Sequence, residues 1–398
     1  MTKELKFLKI EITGHPLLMD GTELSMVADQ RVMNDKHDKL TKLFGSVWVN
    51  NLTTIVGRNA TGKTTLMKLT VGVLTLLLHK QSINQTRLHG MLVGNNPISF
   101  RVYFYGADNK VYLDEITLAQ TPENKRDWFV KEERIFVKNA TKNLSRKNLF
   151  DFSTVEPIID RATMAKELLI VLANDDSLFR MIIAQEEYQS QMIVDTLTFT
   201  NVNMLVYDGP EVPAELLEYL DPSVEYLKIS TVENGPSVYK LKFKGMDTEI
   251  VDNNFATIEM YLSSGTAKGV TLYQYVLRAL ATGGIIFIDE LENHFNHAIV
   301  RSFIEYFTDP DVNKNRATLI FSTHYSEILD ELDRGDQIYI ALRNDQMQLI
   351  RYSDTGMRED ISKTEVFDAD NLNGTSPDYW AYMALRKATA KVVADAQR

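Results

Sequence analysis

GRNATGKTT, residues 57–65, decides how this chain is read. It fits G-x-x-x-x-G-K-[ST], the P-loop, in which glycines let the backbone turn tightly and aim its N–H groups at phosphates. Gly57 and Gly62 supply the turn, with Arg58, Asn59, Ala60 and Thr61 between them. Together with Lys63, Thr64 and Thr65 they form the expected nucleotide cradle. Lys63 is expected to reach the β and γ phosphates, and the Thr64 hydroxyl to ligate Mg²⁺. The flanks fit as well. LTTIV (52–56) reads as a buried strand, and TTLMKLTVGVLTLLLHK (64–80) as a helix whose N-terminus faces the phosphates. A glycine-bearing turn with a stray lysine would not need that strand–loop–helix frame.

Working outward, the second half of the chain supplies further parts in order. GGIIFIDE (283–290) is a short apolar strand ending in two carboxylates, the Walker B pattern. It would present Asp289 to Mg²⁺ and Glu290 to an attacking water. Two acids at a strand end also suit a solvated turn, but their place downstream of a P-loop favours the catalytic reading. ATLIFSTH (317–324) is another buried strand with His324 at its polar end. A strand-end histidine alone reads as packing. Third in a series with Lys63 and Glu290, it becomes a candidate to sense the γ-phosphate. YLSSGTAKGV (261–270) precedes the helix VTLYQYVLRAL and the Walker B strand. Its Ser263, Ser264 and Gly265 form a polar loop at a helix N-terminus, which is either an anion site or an ordinary N-cap.

The set GRNATGKTT, LSSGT, IIFIDELENH and FSTHYSEIL resembles the ABC-type ATPases of the SMC, RecF and OLD group. The likeness is greatest to the stand-alone bacterial AAA family ATPases of phage-defence operons (the PARIS, Septu and abortive-infection types). Asn59 fits the G-x-N-x-x-G-K form that this group favours. The resemblance covers residues 1–80 loosely and 210–345 well. It implies an α/β P-loop NTPase of ABC-ATPase type, with a mixed central sheet, an antiparallel β-hairpin subdomain and a helical insertion. It further implies that two copies sandwich two ATPs head to tail, so that Ser263–Gly265 of one chain meets the γ-phosphate held by Lys63 of the other. The chain departs from the group in places. Thr266 stands where the signature loop ends in Gln, Gln120 is only a weak Q-loop candidate, and Asn293, His294 or Asn296 would have to replace the D-loop aspartate.

Composition agrees with a cytoplasmic enzyme. The 398 residues contain no cysteine, which leaves no disulfide frame and no Cys-based zinc site. The longest apolar run, between Lys68 and Lys80, is short of the ~18 residues a membrane span needs, and the alternating N-terminus MTKELKFLKIEI is no signal peptide. The net charge of −11 counts against non-specific nucleic-acid binding. Residues 123–147 are a local exception: eight Lys or Arg against four acids, with Trp128, Phe129 and Phe136 interleaved. That pattern suits a nucleic-acid strand or an acidic partner; a solvated amphipathic face is the plainer reading.

The expected organisation has four parts. Residues 1–119 form lobe I, with the P-loop and a hairpin at 98–119 turning at GADN. Residues 120–210 form a mostly helical insertion, because 163–197 carries Leu, Ile and Met at helical spacing without sustained heptads. Residues 211–353 form lobe II, with the signature loop, Walker B, His324 and a closing hairpin. Residues 354–398 form a helical tail whose Trp380, Tyr382 and Leu385 would dock on the core or a partner. No N-K-x-D guanine motif occurs, so ATP is the expected nucleotide. Expected partners are a second copy, in an ATP-dependent homodimer or higher oligomer, and a separate effector such as a nuclease or toxin. Nucleic acid through 123–147 belongs to an alternative reading, a DNA-repair or chromosome ATPase of RecF type.

Overall fold

The computed structural model describes residues 3–33, 37, 39–122, 124–141, 144–164, 173–198, 205–230, 237–293, 295, 297–358, 361–375 and 379–396. At its centre is a six-stranded sheet in the order Ile193–Asp195, Ile285–Ile288, Thr318–Thr323, Leu52–Val56, Ile338–Arg343, Met347–Arg351. The first five strands run parallel and the last pairs antiparallel with its neighbour. Side chains alternate between two hydrophobic clusters. Ile55, Ile285, Phe287, Ile320 and Tyr339 belong to one, and Val56, Ile286, Ile288, Phe321 and Ile340 to the other. Both faces are covered, which is why these strands read as unbroken apolar runs.

Helix Lys63–Leu78 covers the first face, with twelve of its sixteen residues buried. A helix apolar on all sides needs a second cover, and a seven-stranded sheet provides it. Its order is Tyr188–Ser190, Lys3–Thr13, Ile98–Gly106, Lys110–Gln120, Trp128–Asn139, Ile159–Asp160, with Thr22–Ser25 flanking Lys3–Thr13. The expected hairpin at 98–119 is therefore the middle of a larger, mostly antiparallel sheet. Helices Ser264–Thr282 and His297–Thr308 contribute to the second cluster. A small antiparallel sheet, Val224–Ser230, Val238–Phe243 and Ile250–Asp252, forms its own core with helix Ala214–Leu220.

The expected mostly helical insertion is corrected. Within 120–210 the described residues hold one α-helix, Phe179–Gln185, beside the twelve-residue strand Trp128–Asn139 and three short strands. Pairing overrides the helical spacing: Tyr188–Ser190 joins Lys3–Leu5, and Ile193–Asp195 joins Ile285–Phe287. Residues 165–172 of the stretch lie outside the described residues.

The basic stretch at 123–147 is also spent differently from its reading. Trp128 and Phe136 are buried in the core. Arg134 pairs with Glu115 at 2.9 Å, and Lys138 lies 4.2 Å over the Phe152 ring. Arg146 donates to the carbonyls of Ala28, Asp29 and Gln30. In the tail, helix Tyr379–Ala396 leaves Trp380, Tyr382 and Leu385 at 78, 57 and 66 % exposure. Among the described residues no helix is long and apolar enough to cross a membrane.

Candidate active site

Parallel sheets gather loops at the carboxyl ends of their strands, where ligands bind. Three adjacent strands here end in the P-loop, the acid pair and His324. The strand Thr318–Thr323 lies between the other two, so His324 emerges between Lys63 and Glu290. A cleft of about 180 Å³ is lined by Asn59 to Thr65, Glu290, His324 and Arg343.

The P-loop has the geometry its sequence requires. Gly62 sits at φ +103°, a conformation L side chains rarely adopt, and an added Cβ would lie 2.9 Å from the Met347 sulfur. Ala60 is also left-handed, at φ 63°. Lys63 folds along the loop and donates to the carbonyls of Gly57 (2.7 Å) and Arg58 (3.0 Å). Burial pushes its ammonium down to about 8, against the pull of Asp289, Glu290 and Glu292. An entering phosphate would restore the charge's partner.

Thr64 Oγ1 donates to Asp289 Oδ2 at 2.7 Å. Two hard oxygens side by side suit Mg²⁺, which takes one or two protein oxygens and completes its shell with water and phosphate. Ser322 Oγ donates to Asp289 Oδ1 at 2.5 Å and accepts from the Glu290 N–H at 2.8 Å. One hydroxyl thus orients both members of the acid pair. Glu290 itself is left-handed, at φ 48°, a strain of about 1–3 kcal/mol of the kind found at functional sites. The turn is fixed by the Leu291 N–H on the Ser322 carbonyl and the Asn293 N–H on the Glu290 carbonyl.

His324 joins the two halves. Its Nδ1 lies 2.9 Å from the Gly57 carbonyl and 3.3 Å from Lys63 Nζ, and its Nε2 lies 3.2 Å from Glu290 Oε1. Its backbone N–H donates to Glu292 Oε1 at 2.5 Å. Lys63, Thr64, Asp289, Glu290 and His324 therefore converge as their motifs imply.

Other candidates lie elsewhere. Ser263 caps helix Ser264–Thr282, accepting the Thr266 N–H at 3.0 Å. Among the described residues Ser263, Ser264 and Gly265 do not line the Lys63 cleft, and neither does Gln120. His294 and Asn296 lie outside the described residues. Sequence reasoning passed over Ser322, Glu292 and Arg343. Ser322 was visible as a polar residue in the apolar strand ATLIFSTH, two positions before His324 and so on the same strand face. Glu292 follows the acid pair at i+2. Arg343 had no such signal.

Residues 227–330 match the family model described as "AAA domain, putative AbiEii toxin, Type IV TA system". The match includes the signature loop, the acid pair and His324 but not the P-loop. Among solved structures, the chain is similar to two of the recombination mediator protein RecF in the RecFOR pathway. One, titled RecF-ATPrS, has 11 % identity and a TM-score of 0.36; the other, titled RecF-ATP, has 10 % and 0.37. Each covers 88 % of this chain and 99 % of the other. No curated protein matches the chain.

Proposed function

We propose that this chain is a cytoplasmic, Mg²⁺-dependent ATPase that pairs head to tail with a second copy and acts as the sensor or scaffold of a separate toxic effector in bacterial anti-phage defence. The convergence of Lys63, Thr64, Asp289, Glu290 and His324 in one cleft carries the ATPase reading. Phosphoryl transfer needs positioning and charge neutralisation more than covalent chemistry, and each residue has such a task. The loop amides from Arg58 to Gly62 and Lys63 hold the phosphates. Thr64 and Asp289 would hold Mg²⁺, which would supply charge neutralisation to the phosphates. Glu290 orients or deprotonates the attacking water. His324, bonded to the loop and to Glu290, relays whether the γ-phosphate is present. Ser263–Gly265, at a helix N-terminus away from this cleft, are left to serve the cleft of a second copy.

The link to an effector is supported by the toxin system in the matched family's description. The alternative, a DNA clamp acting through 123–147, is less favoured because Trp128 and Phe136 are not free to stack on bases. The test is affinity purification of Glu290→Gln, with ATP, from its native cells. We expect a nuclease or toxin to co-purify. Nucleic acid without protein would sink the scaffold reading in favour of the DNA clamp. Calorimetry on Lys63→Ala, expected to show no ATP binding, checks the nucleotide site independently.

A further inference from the structure

We infer that Arg343 is a phosphate-binding residue of the nucleotide cleft, gripping the triphosphate toward its β–γ linkage from the side of the P-loop away from the acid pair. The inference rests on the ATPase reading above.

Register places this residue at the cleft. Strand Ile338–Arg343 runs parallel to Leu52–Val56, with Ile340 opposite Val56, so the residues after Ile340 flank the P-loop. The approach is tight. A Cβ on Gly57 would lie 2.5 Å from the Ala341 carbonyl oxygen, and one on Gly62 would lie 2.9 Å from the Met347 sulfur. Arg343 and Met347 are paired across the hairpin. The hairpin is thus wedged against both glycines of the loop, and Arg343, an exposed side chain, stands at its lip.

There the guanidinium Nη1 donates to the Ala60 carbonyl at 3.0 Å. This bond holds the left-handed middle of the loop. A guanidinium has five N–H donors in a planar fork, so one bond to a carbonyl leaves donors for an anion. Besides His324, Lys63 and Arg343 are the two basic side chains among the described lining residues, which also include Glu290. Lys63 already gives two bonds to loop carbonyls. A triphosphate needs more positive charge than one engaged lysine supplies, and arginine is the side chain best shaped to bind phosphate through two donors. Because Arg343 shares the cleft with Glu290 and His324, its contact belongs at the γ end of the chain of phosphates, where ATP and ADP differ.

The alternative is that Arg343 only tethers Ala60, and the test separates the two. Arg343→Gln keeps an amide donor for the Ala60 carbonyl and loses the charge; Arg343→Lys keeps the charge and loses the fork. Binding of a non-hydrolysable ATP analogue and of ADP is measured by calorimetry for the unsubstituted chain and both variants, with thermal unfolding without nucleotide as the folding check. We expect Arg343→Gln to weaken the triphosphate roughly tenfold to a hundredfold, to weaken ADP much less, and to leave unfolding unchanged; Arg343→Lys recovers part of the loss. Equal losses for the two nucleotides, or no loss, would overturn the phosphate role while leaving the ATPase reading intact. An unsubstituted chain that binds neither nucleotide overturns the ATPase reading, and this inference with it.

Discussion

Two aspartates on neighbouring sheets meet opposite fates. Asp289 ends a parallel strand and is 8 % exposed, with Thr64 and Ser322 hydroxyls on its two oxygens. Asp114 sits in the middle of the antiparallel strand Lys110–Gln120 with 0 % exposure, and among the described residues neither oxygen has a hydrogen-bond partner. Burial, reinforced by nearby Glu133, holds its carboxyl well above the usual range. Glu133 is almost as deeply buried but better served: it accepts from Arg161 (2.9 Å), the Ser177 hydroxyl (2.5 Å) and the Leu178 N–H (2.7 Å). A strand end lets loops bring donors to a carboxylate. In mid-sheet the strands' own backbone donors are consumed by the ladder, so donors must come from another element, as the Ser177 hydroxyl and Leu178 N–H do for Glu133.

Four substitutions test that contrast, in falling order of expected effect. Arg161→Ala should cost about 3–5 kcal/mol of stability, because it leaves a buried carboxylate without its cation; a loss under 1 kcal/mol in denaturant unfolding would mean Glu133 does not need it. Asp289→Asn should leave the fold intact and lower ATP turnover on the order of a hundredfold or more, since the metal's charge stabilisation is worth several kcal/mol. Steady-state hydrolysis reads this directly, and an unchanged rate would remove Asp289 from the site. Ser322→Ala should cost about tenfold to a hundredfold in turnover, the usual effect of losing a residue that orients a metal-site ligand. If it matches the unsubstituted chain across a Mg²⁺ titration, the hydroxyl does not position the acid pair.

Asp114→Asn should stabilise the protein at neutral pH, by roughly 1 kcal/mol or more. The sign follows from the raised pKa. Folded Asp114 keeps its proton to higher pH than in the unfolded chain, so its contribution is most favourable below the ordinary value of 3.8 and is lost as pH rises above that. Asparagine does not titrate, so its advantage should grow as pH climbs from about 4 and vanish as pH falls back. A melting-temperature difference that is flat in pH would show that folding does not raise the Asp114 pKa.

The two sheets also differed in how openly their sequence declared them. The cleft was legible because its groups sit in contiguous strand-end motifs: GRNATGKTT, IIFIDE and FSTH. Each combines an apolar run with the chemistry that follows it, and parallel pairing then brings the three together. Arg343 was not legible, since its approach to Ala60 is set by which strand lies beside Leu52–Val56, and nothing in its own neighbourhood encodes that. Of the antiparallel sheet, the first strands, KFLKIEIT (6–13) and TELSMVA (22–28), and the central hairpin were read, but the strand Trp128–Asn139 was not. WFVKEERIFVKN looked like an exposed basic face because a register shift between Thr117 and Leu118 breaks its simple alternation. Past helix Phe179–Gln185 the helical spacing was likewise overruled by short strands whose partners, Lys3–Leu5 and Ile285–Phe287, lie far apart in the chain.

The bond between Thr64 and Asp289 spans 225 positions of sequence. During synthesis at about 5–20 residues per second, the P-loop therefore emerges roughly ten to fifty seconds before the acid that completes it. For that interval the loop has its glycines and lysine but no Asp289 beside Thr64 and no His324 beside Lys63. The cleft can therefore assemble only after synthesis has passed His324, when the parallel strands that carry these groups can pair.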